Sequence, residues 1–126
     1  MILDTCFLID LQREFKKARP GRATVFLQTH SNVPFRISVI SATEFLEGFA
    51  NIAEGERLLR SYARLDIDSK ISSQAAVFRR RLRLAGNLIG DFDILIAATA
   101  VTEDLPLVTR NLEHFARLSE LSIVEY

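Results

Sequence analysis

The chain reads as an α/β protein, a three-layer α/β/α sandwich around a central, mostly parallel sheet of four to five strands. Three observations predict this. Short apolar runs, such as Met1-Ile2-Leu3 and Leu107-Val108, have the pattern of strands buried on both faces. Between such runs the apolar spacing becomes helical, as at Phe7, Leu8, Leu11 and Phe15. The two kinds of segment alternate along the chain, the mark of a parallel sheet covered on both sides. With 126 residues, one domain spanning 1–126 is expected, long enough for a single core.

The elements follow in order. A helix is predicted from Thr5 to Lys17, ended by Ala18-Arg19-Pro20-Gly21-Arg22, where Pro and Gly are adjacent. A second short helix is expected over Ala23 to Thr29, with Phe26 and Leu27 inward, then a loop from Ser31 to Pro34. Phe35 to Ile40 alternates and is rich in branched residues, so it reads as a strand. Ser41-Ala42-Thr43-Glu44 opens the next helix, striped by Phe45, Leu46 and Phe49 and fading between Gly48 and Asn51. Glu54 to Ala63 is a further helix with Leu58, Leu59 and Tyr62 on one face, and Arg64 to Asp68 a short edge strand. Ser69 is the expected cap of a long helix ending near Gly86. Its apolar face of Ile71, Ala75, Phe78, Leu82 and Ala85 steps by 4, 3, 4 and 3. Ile94 to Val101 is apolar nearly all round, so this helix should be central and buried. Leu105 to Thr109 is a strand, Asn111 to Leu118 a short helix, and Leu121 to Tyr126 the last strand.

Composition bounds the function. A hydrophobic fraction of 48% excludes a disordered chain. Lys+Arg and Asp+Glu number 16 each, so overall charge says nothing about nucleic acid and only a local patch would bind it. Cys6 is the only cysteine, which excludes an internal disulfide; it reads as a small buried apolar residue. No signal peptide is visible. The longest apolar run, Ile94 to Ala98, is far short of the ~18 residues of a membrane span, and a reducing, cytoplasmic setting is expected. There is no zinc spacing of Cys and His, no phosphate-binding loop and no dinucleotide glycine motif.

Polar residues recur where strands end. Asp4 closes the first, Glu44 lies in the helix after the second, Asp93 begins the buried helix, and Asn111 follows the strand ending at Thr109. In a parallel sheet these ends gather at one edge, where ligands bind. Three or four oxygen donors there suit Mg²⁺ or Mn²⁺, and the cation would relieve the repulsion between the carboxylates. Such a cluster can activate water and steady a phosphoryl transition state. Each residue also has a plainer reading. Asp4 and Asn111 can cap the helices after them, and Asp91 can cap the next, with Asp93 in its first turn. Ser41-x-x-Glu44 has the form of a capping box. His114 reads as a surface or half-buried residue and His30 as a loop residue. Arg79, Arg80, Arg81 and Arg83 read as a solvated face near a helix C-terminus or as phosphate contacts.

Four segments together resemble the PIN-domain proteins, and most closely the VapC-type toxins of toxin–antitoxin pairs. They are Ile2-Leu3-Asp4-Thr5, Ser41-x-x-Glu44-x-x-x-Gly48, Asp93-Ile94-Leu95-Ile96-Ala97-Ala98-Thr99-Ala100, and Leu107-Val108-Thr109-Arg110-Asn111-Leu112-Glu113-His114-Phe115. The resemblance covers essentially the whole chain, and the segment opened by Asp93 is its most specific part. It implies a Mg²⁺- or Mn²⁺-dependent endoribonuclease with Asp4, Glu44 and Asp93 as the principal acids and Thr5 and Thr109 as hydroxyls beside the metal. The fourth acid departs from the family pattern: Asn111 and Glu113 stand there, with Asp91 as a substitute from another direction. Cys6 stands where the family commonly has Asn. Arg79, Arg80, Arg83 and Arg110 are the candidates to anchor RNA phosphates. The resemblance further implies a homodimer and a cognate antitoxin clamped in a groove of the first two helices. Phe7, Leu11, Phe15, Phe26 and Leu27 face either that groove or the core. An antitoxin arginine entering the acids would pair them and displace metal. The alternative is a PIN-like module that binds RNA or a partner without cleaving. A haloacid-type phosphohydrolase is disfavoured, because Asp4-Thr5-Cys6 lacks its second carboxylate.

Overall fold

The computed structural model describes residues 1–126. Five strands form one sheet: β1 (Ile2–Leu3), β2 (Arg36–Ser38), β3 (Ala63–Leu65), β4 (Leu107–Val108) and β5 (Ile123–Val124), in the order β3-β2-β1-β4-β5. Every pairing is parallel; Ile2 lies opposite Arg36 on one side and Leu107 on the other. Seven helices connect and cover the strands: α1 (Thr5–Lys16), α2 (Arg22–Thr29), α3 (Val39–Glu47), α4 (Ile52–Leu59), α5 (Ser69–Leu84), α6 (Asp91–Thr102) and α7 (Leu112–Phe115). No helix is long and apolar enough to cross a membrane.

Strands this short are held by burial rather than by their ladders. Successive side chains point to opposite faces. Ile2 and Leu107 therefore pack with Phe78, Ile96 and Phe115 under α5, α6 and α7. Leu3 and Val108 pack with Phe7, Ile37 and Phe45 under α1 to α4. All four residues of β1 and β4 are 0% exposed, so truncating Leu3 or Leu107 to Ala should cost about 2–5 kcal/mol. The expected central helix is α6: Ile94, Ile96, Ala97, Ala98, Thr99 and Ala100 are buried between the sheet and α5.

Several boundaries differ from the sequence reading, each for a local reason. The second strand stops at Ser38, because the Ser38 hydroxyl accepts the Ile40 N–H at 3.1 Å and starts α3 there. Val39 and Ile40 form its first turn despite their branched side chains. Ser41 is thus inside α3, buried, with no partner for its hydroxyl, and there is no capping box with Glu44. Asp68, not Ser69, caps α5 through the Ile71 N–H at 2.8 Å. Gly90 occupies the cap position of α6, and Asp91 is already helical. Asn51 caps α4 two residues earlier than expected, and Ala85 lies exposed beyond the end of α5.

The strand order positions the site. From β1 the chain moves outward to β2 and β3, then returns to the other side of β1 for β4 and β5. The connections after β1 and β4 leave in opposite directions and open a crevice at the carboxyl ends of these two strands. Asp4 and Thr109 are the first residues past them.

Candidate active site

Asp4 is 4% exposed, and both carboxylate oxygens are held. Oδ1 accepts the Thr5 backbone N–H at 2.7 Å and so caps α1. Oδ2 accepts the Thr109 hydroxyl at 2.6 Å and the Cys6 thiol at 3.1 Å. The Thr109 oxygen in turn accepts the Asn111 N–H at 3.0 Å, which leaves its single proton for Asp4. The bond from Thr109 to Asp4 crosses the crevice between β4 and β1.

Glu44 lies in the second turn of α3, over the end of β2, and its Oε2 accepts the Thr5 hydroxyl at 2.5 Å. Asp93, in the first turn of α6, is bonded through Oδ2 to His114 Nδ1 at 2.7 Å. That nitrogen must carry a proton to face a carboxylate so closely. The Asn111 side chain stands 3.1 Å from the same nitrogen and caps nothing. Three acids from three elements thus meet at one edge of the sheet, with Thr5, Thr109, Asn111 and His114 among them.

Their charges interact. Burial pushes the Asp4 carboxyl above the ordinary carboxylate range; the bonds from Thr109, Cys6 and Thr5 pull it back in part, and the charge of Asp93 raises it again. Burial likewise raises Glu44 against the bond from Thr5, and the like charges of Asp4, Asp93 and Glu47 add to the rise. No Lys or Arg pairs with Asp4, Glu44 or Asp93. Burial and the charge of Asp4 also raise the Cys6 thiol, which stays protonated and donates. Cys6 is therefore half-buried and polar in its contacts, not the apolar filler expected.

The donor set is hard oxygen with uncompensated negative charge, which fits Mg²⁺ or Mn²⁺. As the side chains stand, no three His, Cys, Asp or Glu groups meet at ligating distance. The reason is visible in the bonds: Glu44 is drawn to Thr5 and Asp93 to His114, while Glu44 Oε1 and Asp93 Oδ1 keep no protein partner.

Other predicted residues lie elsewhere. Asp91 is turned away from the acids, 64% exposed and paired with Arg79 Nε at 2.7 Å, so the α6 start contributes Asp93 alone. Glu113 is 85% exposed beside Arg117 at 3.7 Å, because the α7 turn carries it outward. Arg110 is held by Asp10 at 3.0 Å, whereas Arg80 and Arg83 are exposed on α5 without an ion pair. Sequence reasoning missed His114 as the partner of Asp93; the signal was Asn111-x-x-His114, one helical turn apart on one face.

A second concavity of about 650 Å³ lies between α1, the α1–α2 turn, α3 and α4, lined by Leu8, Leu11, Phe15, Phe45 and Leu58, with Arg19 from the turn and Thr24 from α2 at its edge. Phe15 is 78% exposed there and Leu58 44%. It is not a groove of the first two helices alone. Phe7 and Phe26 belong to the core, and Leu27 packs against that core rather than lining the concavity.

A family model described as PIN domain matches residues 1–121. The chain is 34% identical to Ribonuclease VapC1 of Methanocaldococcus jannaschii, over all of this chain and 86% of that protein. It is 39% identical to Ribonuclease VapC10 of Mycobacterium tuberculosis over 70% of this chain and 68% of that one. Among solved structures it resembles VapBC2 from Rickettsia felis, bound to a DNA fragment from their promoter. The TM-score is 0.82 at 24% identity, covering 99% of this chain and 97% of that one, a likeness of fold.

Proposed function

The chain belongs to the PIN-domain family, and from that premise we propose that it is a divalent-metal-dependent endoribonuclease acting as the toxin of a toxin–antitoxin pair. One observation carries the reading. Asp4, Glu44 and Asp93 arrive from three elements at the sheet's switch point, held by hydroxyls and an imidazole with no Lys or Arg among them. Relatives named as VapC ribonucleases support it. The reading includes RNA as substrate, a cognate antitoxin, a homodimeric toxin and a cytoplasmic setting.

In this reading Asp4, Asp93 and Glu44 hold Mg²⁺ or Mn²⁺, with Asn111 adjacent. The cation, when bound, neutralises charge developing on an RNA phosphodiester and acidifies the attacking water. The rest is the work of the chain. Thr109 fixes the carboxylate of Asp4, so this acid need not reorganise as charge develops, whereas Glu44 would turn from Thr5 toward the cation. His114 Nδ1–H orients Asp93. Glu44 Oε1 and Asp93 Oδ1, free of protein partners, are the carboxylate oxygens left to face the cation. The apolar concavity beside α1 is the surface on which an antitoxin segment would lie, with Phe15 and Leu58 as its exposed apolar contacts.

A second reading, a module that binds RNA or a partner without cleaving, is favoured by Asn111 in an acid position and by acids not gathered about one point. Cleavage of a mixed RNA pool with Mn²⁺, Mg²⁺ or EDTA, beside Asp4→Asn and Asp93→Asn, separates the two. Metal-dependent cleavage lost in both variants establishes the nuclease. Folded protein that neither cleaves nor binds metal by calorimetry overturns it.

A further inference from the structure

Charge in this chain sums to zero but is not evenly spread. Residues 13–22, Arg-Glu-Phe-Lys-Lys-Ala-Arg-Pro-Gly-Arg, hold five of the 16 cations and one acid. The fold gathers most of them, with Arg110, around a cavity of about 560 Å³ at the turn between α1 and α2. Arg13, Lys17, Arg19, Arg22 and Arg110 line it, against only Asp10 and Glu14.

Both acids are already committed. Asp10 takes Arg110 at 3.0 Å, Arg13 at 3.7 Å and the Tyr126 hydroxyl at 3.0 Å. Glu14 is built into the wall: it accepts the Ala23 and Thr24 N–H groups at 3.1 and 2.9 Å and the Thr24 hydroxyl at 2.6 Å. A Cβ at Gly21 would push that carboxylate aside, so glycine lets Glu14 approach the α2 amides closely. Lys17, Arg19 and Arg22 form no ion pair and remain as a surplus of positive charge. Helix stability accounts for Lys17 at the C-terminus of α1 but not for Arg22, the first residue of α2, where the dipole disfavours a cation.

The cavity is connected to the acids along one face of α1. Cys6, Asp10, Arg13 and Lys17 follow one another at helical spacing along α1, so its face runs from the Asp4 cluster into the basic pocket. Arg110 directly follows Thr109, and the Tyr126 hydroxyl joins the two regions, 3.0 Å from Asp10 and 3.7 Å from Cys6 Sγ. The pocket has one hydrophobic lining residue, Tyr126, whose ring packs edge-on against Phe7 at 4.6 Å. Its recognition chemistry is thus that of phosphate rather than of stacked bases.

We infer that this pocket, with Lys17, Arg19 and Arg22 as its free cations, binds backbone phosphates of single-stranded RNA flanking the bond at the acid cluster. The inference rests on the ribonuclease reading and assigns the phosphate contacts to the α1–α2 turn instead of α5.

The test uses full-length protein carrying Asp93→Asn to block cleavage and a fluorescein-labelled single-stranded RNA of mixed sequence, read by anisotropy across a salt series. Lys17→Gln with Arg22→Gln removes two phosphate contacts. At ~0.7 of slope per contact on single strands, log K against log salt should flatten by about 1.4, and binding in 0.1 M salt should weaken roughly 25-fold. Arg57→Gln with Lys70→Gln, which removes equal charge from exposed and unpaired positions, should bind as the parent does. Equal weakening in both pairs means bulk charge, not a site, and overturns the inference. Unchanged RNA binding with loss of antitoxin co-purification would assign the pocket to the protein partner and also overturns it. The wild-type background keeps the two readings apart. If it cleaves RNA while the pocket pair binds normally, only this inference fails; if it neither cleaves nor binds RNA, the ribonuclease reading fails first.

Discussion

Thr109→Val is the sharpest perturbation of the site, because it removes one hydroxyl and almost no volume. Two bonds go with it, the 2.6 Å donation to Asp4 Oδ2 and the acceptor for the Asn111 N–H at 3.0 Å, together with a longer 3.5 Å contact to Cys6 Sγ. A hydrogen bond to a charged group is worth about 1.5–3 kcal/mol, and the Asn111 N–H, only part-buried, adds under about 1 kcal/mol. The expected loss at neutral pH is therefore about 2–4 kcal/mol, a fall of roughly 10 °C in melting temperature for a domain of this size. The sign with pH follows from Asp4. Its pKa is already raised by burial, and losing a donor to the charged form raises it further. Ionisation of a group raised in this way costs stability, and the cost disappears as pH falls below its folded pKa. The deficit of Thr109→Val should therefore shrink on acidification, measured by urea unfolding from neutral pH downward. Cleavage should fall ~10–100-fold, as when a group supporting a metal ligand is lost. Thr109→Ser, which keeps the hydroxyl, should lose only about 1 kcal/mol for the missing methyl. A Thr109→Val protein as stable as wild type at neutral pH would refute the claim that this hydroxyl holds a charged Asp4.

Asp4→Asn should abolish cleavage with the fold intact by circular dichroism, because it removes the buried charge that would hold the cation. His114→Ala should cost ~10–100-fold in cleavage by releasing Asp93, with the fold intact by circular dichroism. Glu14→Gln should destabilise by about 1–2 kcal/mol at neutral pH through the loss of an α2 cap. Its hydrogen bonds outweigh burial and hold Glu14 below the ordinary range, so that stability is present above the unfolded pKa and vanishes as pH falls through the folded one. Phe15→Asp should leave cleavage of RNA unchanged and abolish co-purification with the cognate antitoxin.

Much of this architecture was legible in local pattern, and what was not had a non-local cause. Alternating buried runs and helical stripes predict a parallel sheet, and α6 stands out because it is apolar all round. Strand order is not a local property. Nothing in the spacing says that β4 returns to the far side of β1, so the pairing of Asp4 with Thr109, 105 residues apart, could be expected only as a gathering of strand ends. The end of β2 was misread for a different reason. Branched residues at Val39 and Ile40 argue for strand, but a single Ser38 cap outweighs that weak preference. The same shift removed the capping explanation for Glu44. Asp91 and Glu113 failed through helix phase: each sits two residues from a residue that faces the cluster, and two residues is half a turn away.

Asp4 shows why the capping and catalytic readings of such residues need not compete. Its Oδ1 holds the first amide of α1, and that bond fixes the direction of Oδ2 toward the crevice. A helix N-terminus favours the negative charge that burial opposes, so the cap offsets part of the cost of keeping an ionised acid there. The opposite end of α1 favours Arg13, Lys16 and Lys17 by the same dipole. One helix thus separates the chain's charge along its axis, acid at the sheet edge and base about 15–20 Å away at its far end. In a chain of zero net charge, that separation lets the acid cluster keep its full negative charge for a cation while a basic surface remains for a polyanion. Had the same cations reached the acids, they would have neutralised them and stabilised the fold at the expense of the site.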